Sequence, residues 1–207
     1  MTRIKICGVT NADDAWLAAE LGADAIGLVF ADSPRRIEPL QARAIVAALP
    51  PFVTPVGVFV NTPRDTLLRA VAESGVRAVQ LHGDETPDAL ADLPVPAVKA
   101  FRVRSAADLE PIAQYGRTAA VLLDARVDGQ FGGTGQTFDW ALAREAQRFG
   151  KPVIVSGGLT PENVGAAIRA ARPFAVDVSS GVEITPRRKD PGKLRAFFAA
   201  VRAADAG

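Results

Sequence analysis

The chain has 207 residues, 24 basic against 23 acidic side chains, and a net charge of +1 at pH 7. That length suits one domain with a sizeable core, and the scatter of Lys and Arg argues against nucleic acid or an anionic membrane as partner. The apolar runs are strand-sized, well short of the ~20 residues a membrane span needs. With no signal-peptide core at the N-terminus and one Cys, which cannot form an internal disulfide, the expected compartment is the cytosol.

Eight times a short apolar stretch runs into a polar tip and a helix signal follows. The first stretch, 4–7, ends in Cys7, with Thr10 and Asp13 as a capping-box-like helix start. Stretches 25–30 and 56–60 follow, the latter leading to Thr62-Pro63, a capping side chain before a first-turn proline. Leu67, Leu68, Val71 and Ala72 then make an apolar helical stripe. Stretch 78–82 ends in His82 before Thr86-Pro87, and 97–101 precedes a Ser105/Asp108 capping box. Stretch 119–124 ends in Asp124, 153–156 leads to Thr160-Pro161, and 174–178 is followed by Asp190-Pro191. Continuous apolarity implies strands buried on both faces, as in a parallel sheet covered by helices. Eight such units predict an α/β fold, a single (β/α)8 TIM barrel spanning 1–207 as one domain. An open doubly wound sheet would need a glycine-rich fingerprint after the first strand, where only Gly8 is present.

Strand tips of such a barrel converge on one mouth. Cys7 is either a small buried hydrophobe or a thiol able to act as base or nucleophile. Asp124, closing five apolar residues, is a candidate general acid or else a loop cap. Ser156-Gly157-Gly158 and Ser179-Ser180-Gly181 follow the last two strands, where backbone N–H groups and hydroxyls can hold a phosphate. Gly132-Gly133-Thr134-Gly135 is a lid over the substrate or a flexible connection. Arg35, with Arg36 beside it, is a candidate fork for a carboxylate or a solvated loop residue. His82, in Gln80-Leu81-His82-Gly83-Asp84, is a catalytic group or else a polar residue that lines the pocket or holds a loop, and Gln80 lies on the same strand. Asp177 shares the inward parity of Ser179 and would meet a substrate hydroxyl or a structural partner. One His and one Cys do not make a zinc site, and no Gly-x-Ser-x-Gly elbow supports triad hydrolysis.

Taken in order, Lys5-Ile6-Cys7-Gly8-Val9-Thr10, Ser33-Pro34-Arg35, Val56-Gly57-Val58-Phe59-Val60-Asn61, Gln80-Leu81-His82-Gly83-Asp84, Leu122-Leu123-Asp124, Gly132-Gly133-Thr134-Gly135 with Phe138-Asp139-Trp140, Gly157-Gly158-Leu159 and Asp177-Val178-Ser179-Ser180-Gly181-Val182-Glu183 cover essentially the whole chain. The set resembles the N-(5′-phosphoribosyl)anthranilate isomerases of tryptophan biosynthesis. The resemblance implies a (β/α)8 barrel, an Amadori rearrangement of an aminoaldose to an aminoketose, a small phosphosugar substrate, and neither metal nor other cofactor. It implies Asp124 as the acid that protonates the ribose ring oxygen and Cys7 as the base that takes the C2′ proton. By the same resemblance Arg35 pairs with the anthranilate carboxylate and the backbone around Gly158 and Ser180-Gly181 holds the phosphate; Gln80, His82 and Asp177 are expected to line the substrate pocket, and Gly157 and Ser179 to complete the phosphate site. The chain carries no second barrel, unlike fused versions of the family. Outward barrel helices suit a monomer or a homodimer. Another phosphosugar-converting barrel, or a non-catalytic phosphate-binding barrel, are the alternatives. An epimerase of the first kind needs paired acids and several His, and a binder has no use for an acid and a base.

Overall fold

The computed structural model describes residues 1–125 and 137–207. Strands β1 (Arg3–Ile6), β2 (Ala25–Val29), β3 (Thr54–Phe59), β4 (Ala78–Leu81), β5 (Ala97–Val103), β6 (Ala120–Ala125), β7 (Val153–Val155) and β8 (Ala175–Val178) form a closed barrel in chain order, with β8 parallel to β1. Each lies within two residues of its expected bounds. Helices α1 (Ala12–Leu21), α2 (Pro39–Ala48), α3 (Arg64–Ser74), α4 (Ala141–Ala146), α5 (Val164–Ala171) and α6 (Pro191–Ala206) cover the outside. Among the described residues no helix is long and apolar enough to cross a membrane.

Two of the eight expected helices are 3₁₀ segments, Pro87–Leu90 after β4 and Ala106–Gln114 after β5. The first sits in a short connection that also carries Pro94 and Pro96, and the second contains Pro111, whose missing N–H interrupts an i→i−4 ladder. A hairpin of β9 (Glu183–Thr185) and β10 (Arg188–Lys189), absent from the sequence reading, lies between β8 and α6.

The caps differ in detail from the expectation. The Ser105/Asp108 box forms, and Asp190 accepts from Gly192 and Lys193 N–H at the start of α6. The first helix is capped by Asn11, which accepts from Asp14 N–H, while the Thr10 hydroxyl donates to the Arg187 carbonyl. Pro63 itself caps α3 without a side-chain bond, because Thr62 turns back to the Val60 carbonyl. Thr86 makes no cap bond, and Thr160 accepts from Glu162 N–H ahead of α5. On α3 the buried face is Leu67, Ala70, Val71 and Ser74, an i, i+3, i+4, i+7 set. Leu68 is only partly buried and Ala72 is exposed.

Period-two alternation, hidden in the sequence by continuous apolarity, organises the barrel. Ile4, Ile6, Val79, Leu81, Val121, Leu123, Val176 and Val178 belong to the core between strands and helices. Burying each such side chain stabilises the fold by ~1.5–3 kcal/mol. Their alternates face the barrel interior, where Ala100, Ala120, Leu122, Ile154 and Ala175 form a separate apolar plug. Towards the C-terminal mouth, the same inward parity carries Lys5, Cys7, Gln80, His82, Asp124, Ser156, Asp177 and Ser179.

Candidate active site

Asp124 lies at the end of β6 with 2 % of its surface exposed. Its Oδ1 accepts from Ala125 N–H at 2.9 Å, and its Oδ2 lies 3.2 Å from His82 Nε2. Gln80 and His82, two residues apart on β4, face the same way, and the Gln80 amide nitrogen meets His82 Nδ1 at 2.7 Å. Nδ1 then accepts, so the ring proton sits on Nε2 and is directed at Asp124. Gly157 makes room for this acid. It has φ +82°, and a Cβ there would overlap Asp124 Oδ1.

Cys7 follows β1 and is half-buried. Burial pushes its thiol up, Lys5 pulls it down, Asp177 raises it, and Lys189 lowers it; the net direction is upward. Lys5 Nζ donates to Asp177 Oδ1 at 2.8 Å, across the β1–β8 seam where the two residues are register partners. Asp177 Oδ2 also takes a bond from the Ser156 hydroxyl at 3.2 Å. Both oxygens of Asp177 therefore have protein partners.

Arg35 turns into the mouth, where its Nε and Nη2 grip Glu183 at 2.8 and 2.6 Å. Its other edge, Nη1 with the second Nη2 proton, is the one geometrically suited to a ligand carboxylate. Arg36 pairs with Glu38 on the surface instead. Glu183 also receives Lys189 Nζ at 2.8 Å. Burial drives the Glu183 carboxyl up, but Arg35 and Lys189 more than reverse this and hold it below its ordinary value.

Ser156, Gly157, Gly158, Ser179, Ser180 and Gly181 line one cleft together with Asp124 and Asp177. Gly158 is held by Asn163, whose Nδ2 donates to its carbonyl at 2.8 Å while Oδ1 accepts from Thr160 N–H at 2.8 Å. Gly181 is required by packing as well, since a Cβ there would overlap the Leu159 carbonyl oxygen. A larger cleft, about 360 Å³, lies beside Lys99, Phe101 and Tyr115 and includes neither Cys7 nor Asp124. Lys99 has the outward parity of β5 and bonds Glu85 at 3.0 Å there. Gly132, Gly133, Thr134 and Gly135 lie outside the described residues. Among the described residues, no three His, Cys, Asp or Glu side chains converge as metal ligands.

Four site residues escaped the sequence reading: Lys5, Glu183, Lys189 and Asn163. Lys5 had a usable signal, a charge inside an apolar strand two positions before Cys7. Glu183 ended a quoted motif without being assigned a partner. Lys189 and Asn163 reach the site from a hairpin and a turn that no local pattern announces.

The fold and its mouth define an enzyme-type (β/α)8 barrel with a thiol, a carboxyl and a glycine-lined cleft at the strand tips. The family model described as N-(5′-phosphoribosyl)anthranilate (PRA) isomerase matches residues 4–200. A protein of that name from Moorella thermoacetica is 51% identical over 205 residues, covering 99% of this chain and 92% of the relative. The crystal structure of phosphoribosyl anthranilate isomerase from Thermotoga maritima superposes with a TM-score of 0.92 at 42% identity, covering 98% of this chain and 100% of that one. A phosphoribosyl anthranilate isomerase in complex with reduced 1-(o-carboxyphenylamino)-1-deoxyribulose 5-phosphate superposes with a TM-score of 0.88 at 40% identity, covering 98% and 100%. The chain belongs to the N-(5′-phosphoribosyl)anthranilate isomerase family.

Proposed function

We propose that this chain isomerises N-(5-phosphoribosyl)anthranilate to 1-(2-carboxyphenylamino)-1-deoxyribulose 5-phosphate in tryptophan biosynthesis, with Asp124 as general acid and Cys7 as general base. The whole chain works as one barrel domain on a small phosphosugar, in the cytosol. Protonation of the ring oxygen by Asp124 lets the C1′–O bond break, and the anilino nitrogen lone pair forms the Schiff base. The Cys7 thiolate then removes the C2′ proton. The C2′–H electrons form the C1′–C2′ double bond and return a lone pair to nitrogen. The resulting enolamine gains a proton at C1′ and loses the 2′-hydroxyl proton, giving the ketone. No atom is added or lost overall.

The observation that carries this reading is the shared inward parity of Cys7, just after β1, and Asp124 on β6, beside the glycine-lined cleft that contains Asp124. That cleft suits the 5′-phosphate, because Gly157 and Gly158 turn in the left-handed region and leave backbone N–H groups approachable. The outer edge of Arg35 suits the anthranilate carboxylate, and Gln80, His82 and Asp177 line the interior that the ribose enters. The deciding experiment follows the fluorescence of phosphoribosylanthranilate as the protein is added. Wild-type protein should quench it with turnover, and Cys7→Ser, nearly the same shape but a far weaker acid, should lose ~10²–10⁴-fold in kcat. Near-wild-type turnover by a verified Cys7→Ser protein would remove Cys7 from the mechanism.

A further inference from the structure

The charges acting on Cys7 come from four residues on separate segments: Lys5 on β1, Asp177 on β8, Lys189 on β10 and Arg35 after β2. Three are cations, and two of these are committed elsewhere. Lys189 Nζ has three protons and three oxygen partners: the Cys7 carbonyl at 2.6 Å, the Ser179 carbonyl at 3.2 Å and Glu183 at 2.8 Å. Arg35 spends its Nε/Nη2 edge on Glu183. Lys5 differs. It is buried at 5 % exposure, makes one side-chain bond, to Asp177 at 2.8 Å, and lies two residues before Cys7 on the same inward-facing row, where its charge acts on the sulfur. The β2 backbone also closes in on the sulfur, for a Cβ on Gly27 would stand 2.7 Å from Sγ.

We infer that Lys5 is the counter-ion of the Cys7 thiolate: a positioning residue whose buried ammonium, anchored by Asp177, offsets the cost that burial imposes on the charged sulfur at the barrel mouth. The inference rests on the reading of Cys7 as the general base. Lys5 is suited to the task because it does not titrate in the working range. Burial alone would lower it, but Asp177 and Cys7 together raise it above its ordinary value. Asp177 in turn has a structural duty in the site, which is to aim Lys5.

The chain contains one cysteine, so alkylation by iodoacetamide, a small neutral probe, reports the Cys7 thiolate directly and without turnover. The experiment compares the pH dependence of alkylation, followed by mass, in wild type, Lys5→Met and Lys5→Met/Asp177→Asn. The double variant spares the fold a buried unpaired carboxylate, and circular dichroism verifies folding. Loss of a neighbouring cation disfavours the thiolate. The Lys5→Met midpoint should therefore move up by about one unit or more, which is about a tenfold slower alkylation at a fixed pH below it. The double variant should move the same way by less, since Asp177 opposes Lys5 at the sulfur. The rising limb of kcat/KM against pH should follow the alkylation midpoint. An unmoved or lowered midpoint in a folded Lys5→Met protein overturns the assignment, as does failure of both variants to fold, which would make the pair scaffold. A shifted midpoint with an unshifted kcat/KM limb leaves Lys5 as counter-ion and rejects Cys7 as the base.

Discussion

In the proposed mechanism Asp124 and Arg35 carry different kinds of work, and single substitutions separate them. Asp124 receives hydrogen bonds from Ala125 N–H and the His82 ring, an arrangement that fixes the carboxyl without consuming its function. Asp124→Asn keeps the size but cannot deliver a proton to a ring oxygen. It should lower kcat strongly with little change in KM, the pattern of an interaction made only in the transition state. An unchanged kcat with a raised KM would make Asp124 a binding residue. Arg35 is held by Glu183 on one edge and offers the other. Arg35→Ala should weaken the natural substrate by about 1.5–3 kcal/mol, or about one to two decades. An analogue lacking the ring carboxylate should be weakened far less. Equal losses for both ligands would mean that Arg35 only shapes the loop and keeps Glu183 in place.

At the scale of elements, the cleft is made by two consecutive strand-to-helix connections, and its geometry depends on their internal ties. Asn163 precedes α5 and bonds both the Gly158 carbonyl and Thr160 N–H. Each such bond contributes about 0.5–1.5 kcal/mol net, so Asn163→Ala should loosen the loop without unfolding the barrel. Inhibition by inorganic phosphate should weaken severalfold and KM should rise, while kcat changes little. An unaltered phosphate inhibition constant would place the anion on some other element. The two 3₁₀ connections after β4 and β5 show the opposite case. There prolines replace full helices, and the barrel closes because the strands, not the covering helices, make the continuous hydrogen-bonded wall.

For the molecule as a whole, Glu183 joins parts that are distant in sequence. Through Arg35 it holds the loop after β2. Through Lys189 it reaches the carbonyls of Cys7 and Ser179, at the ends of the two strands that close the barrel. A second tie on this seam runs from Thr2, whose N–H and hydroxyl both reach Asp205 on α6 at 2.7 Å. Because Glu183 is held below its ordinary value of 4.5, its contribution is fully present above that pH and is lost as pH falls through the lower, folded value. Urea unfolding midpoints should therefore drop as pH falls below about 4.5, and less so in Glu183→Gln. A parallel drop in the variant would assign the acid sensitivity to other carboxyls.

By itself the sequence determined the eight strands, the barrel, and the tips Cys7, Asp124, Gly157-Gly158 and Ser179-Ser180-Gly181. Each of these is a local signal: a short apolar run, then a polar or glycine break, repeated eight times, with no glycine-rich fingerprint after the first strand to suit an open doubly wound sheet instead. Tertiary structure decided which charges meet. Lys5 finds Asp177 only because the last strand returns to the first and sets them in register. Glu183, Lys189 and Asn163 enter through a hairpin and a turn whose positions follow from closure rather than from pattern. The same holds for the cap that slipped from Thr10 to Asn11, where the Thr10 hydroxyl bonds the distant Arg187 carbonyl, whereas the shift from Thr62 to Pro63 is local, the Thr62 hydroxyl turning to the Val60 carbonyl two residues back. A strand or a cap preference is written in the few residues that make it, whereas a buried ion pair between positions 5 and 177 exists only once the chain between them has folded.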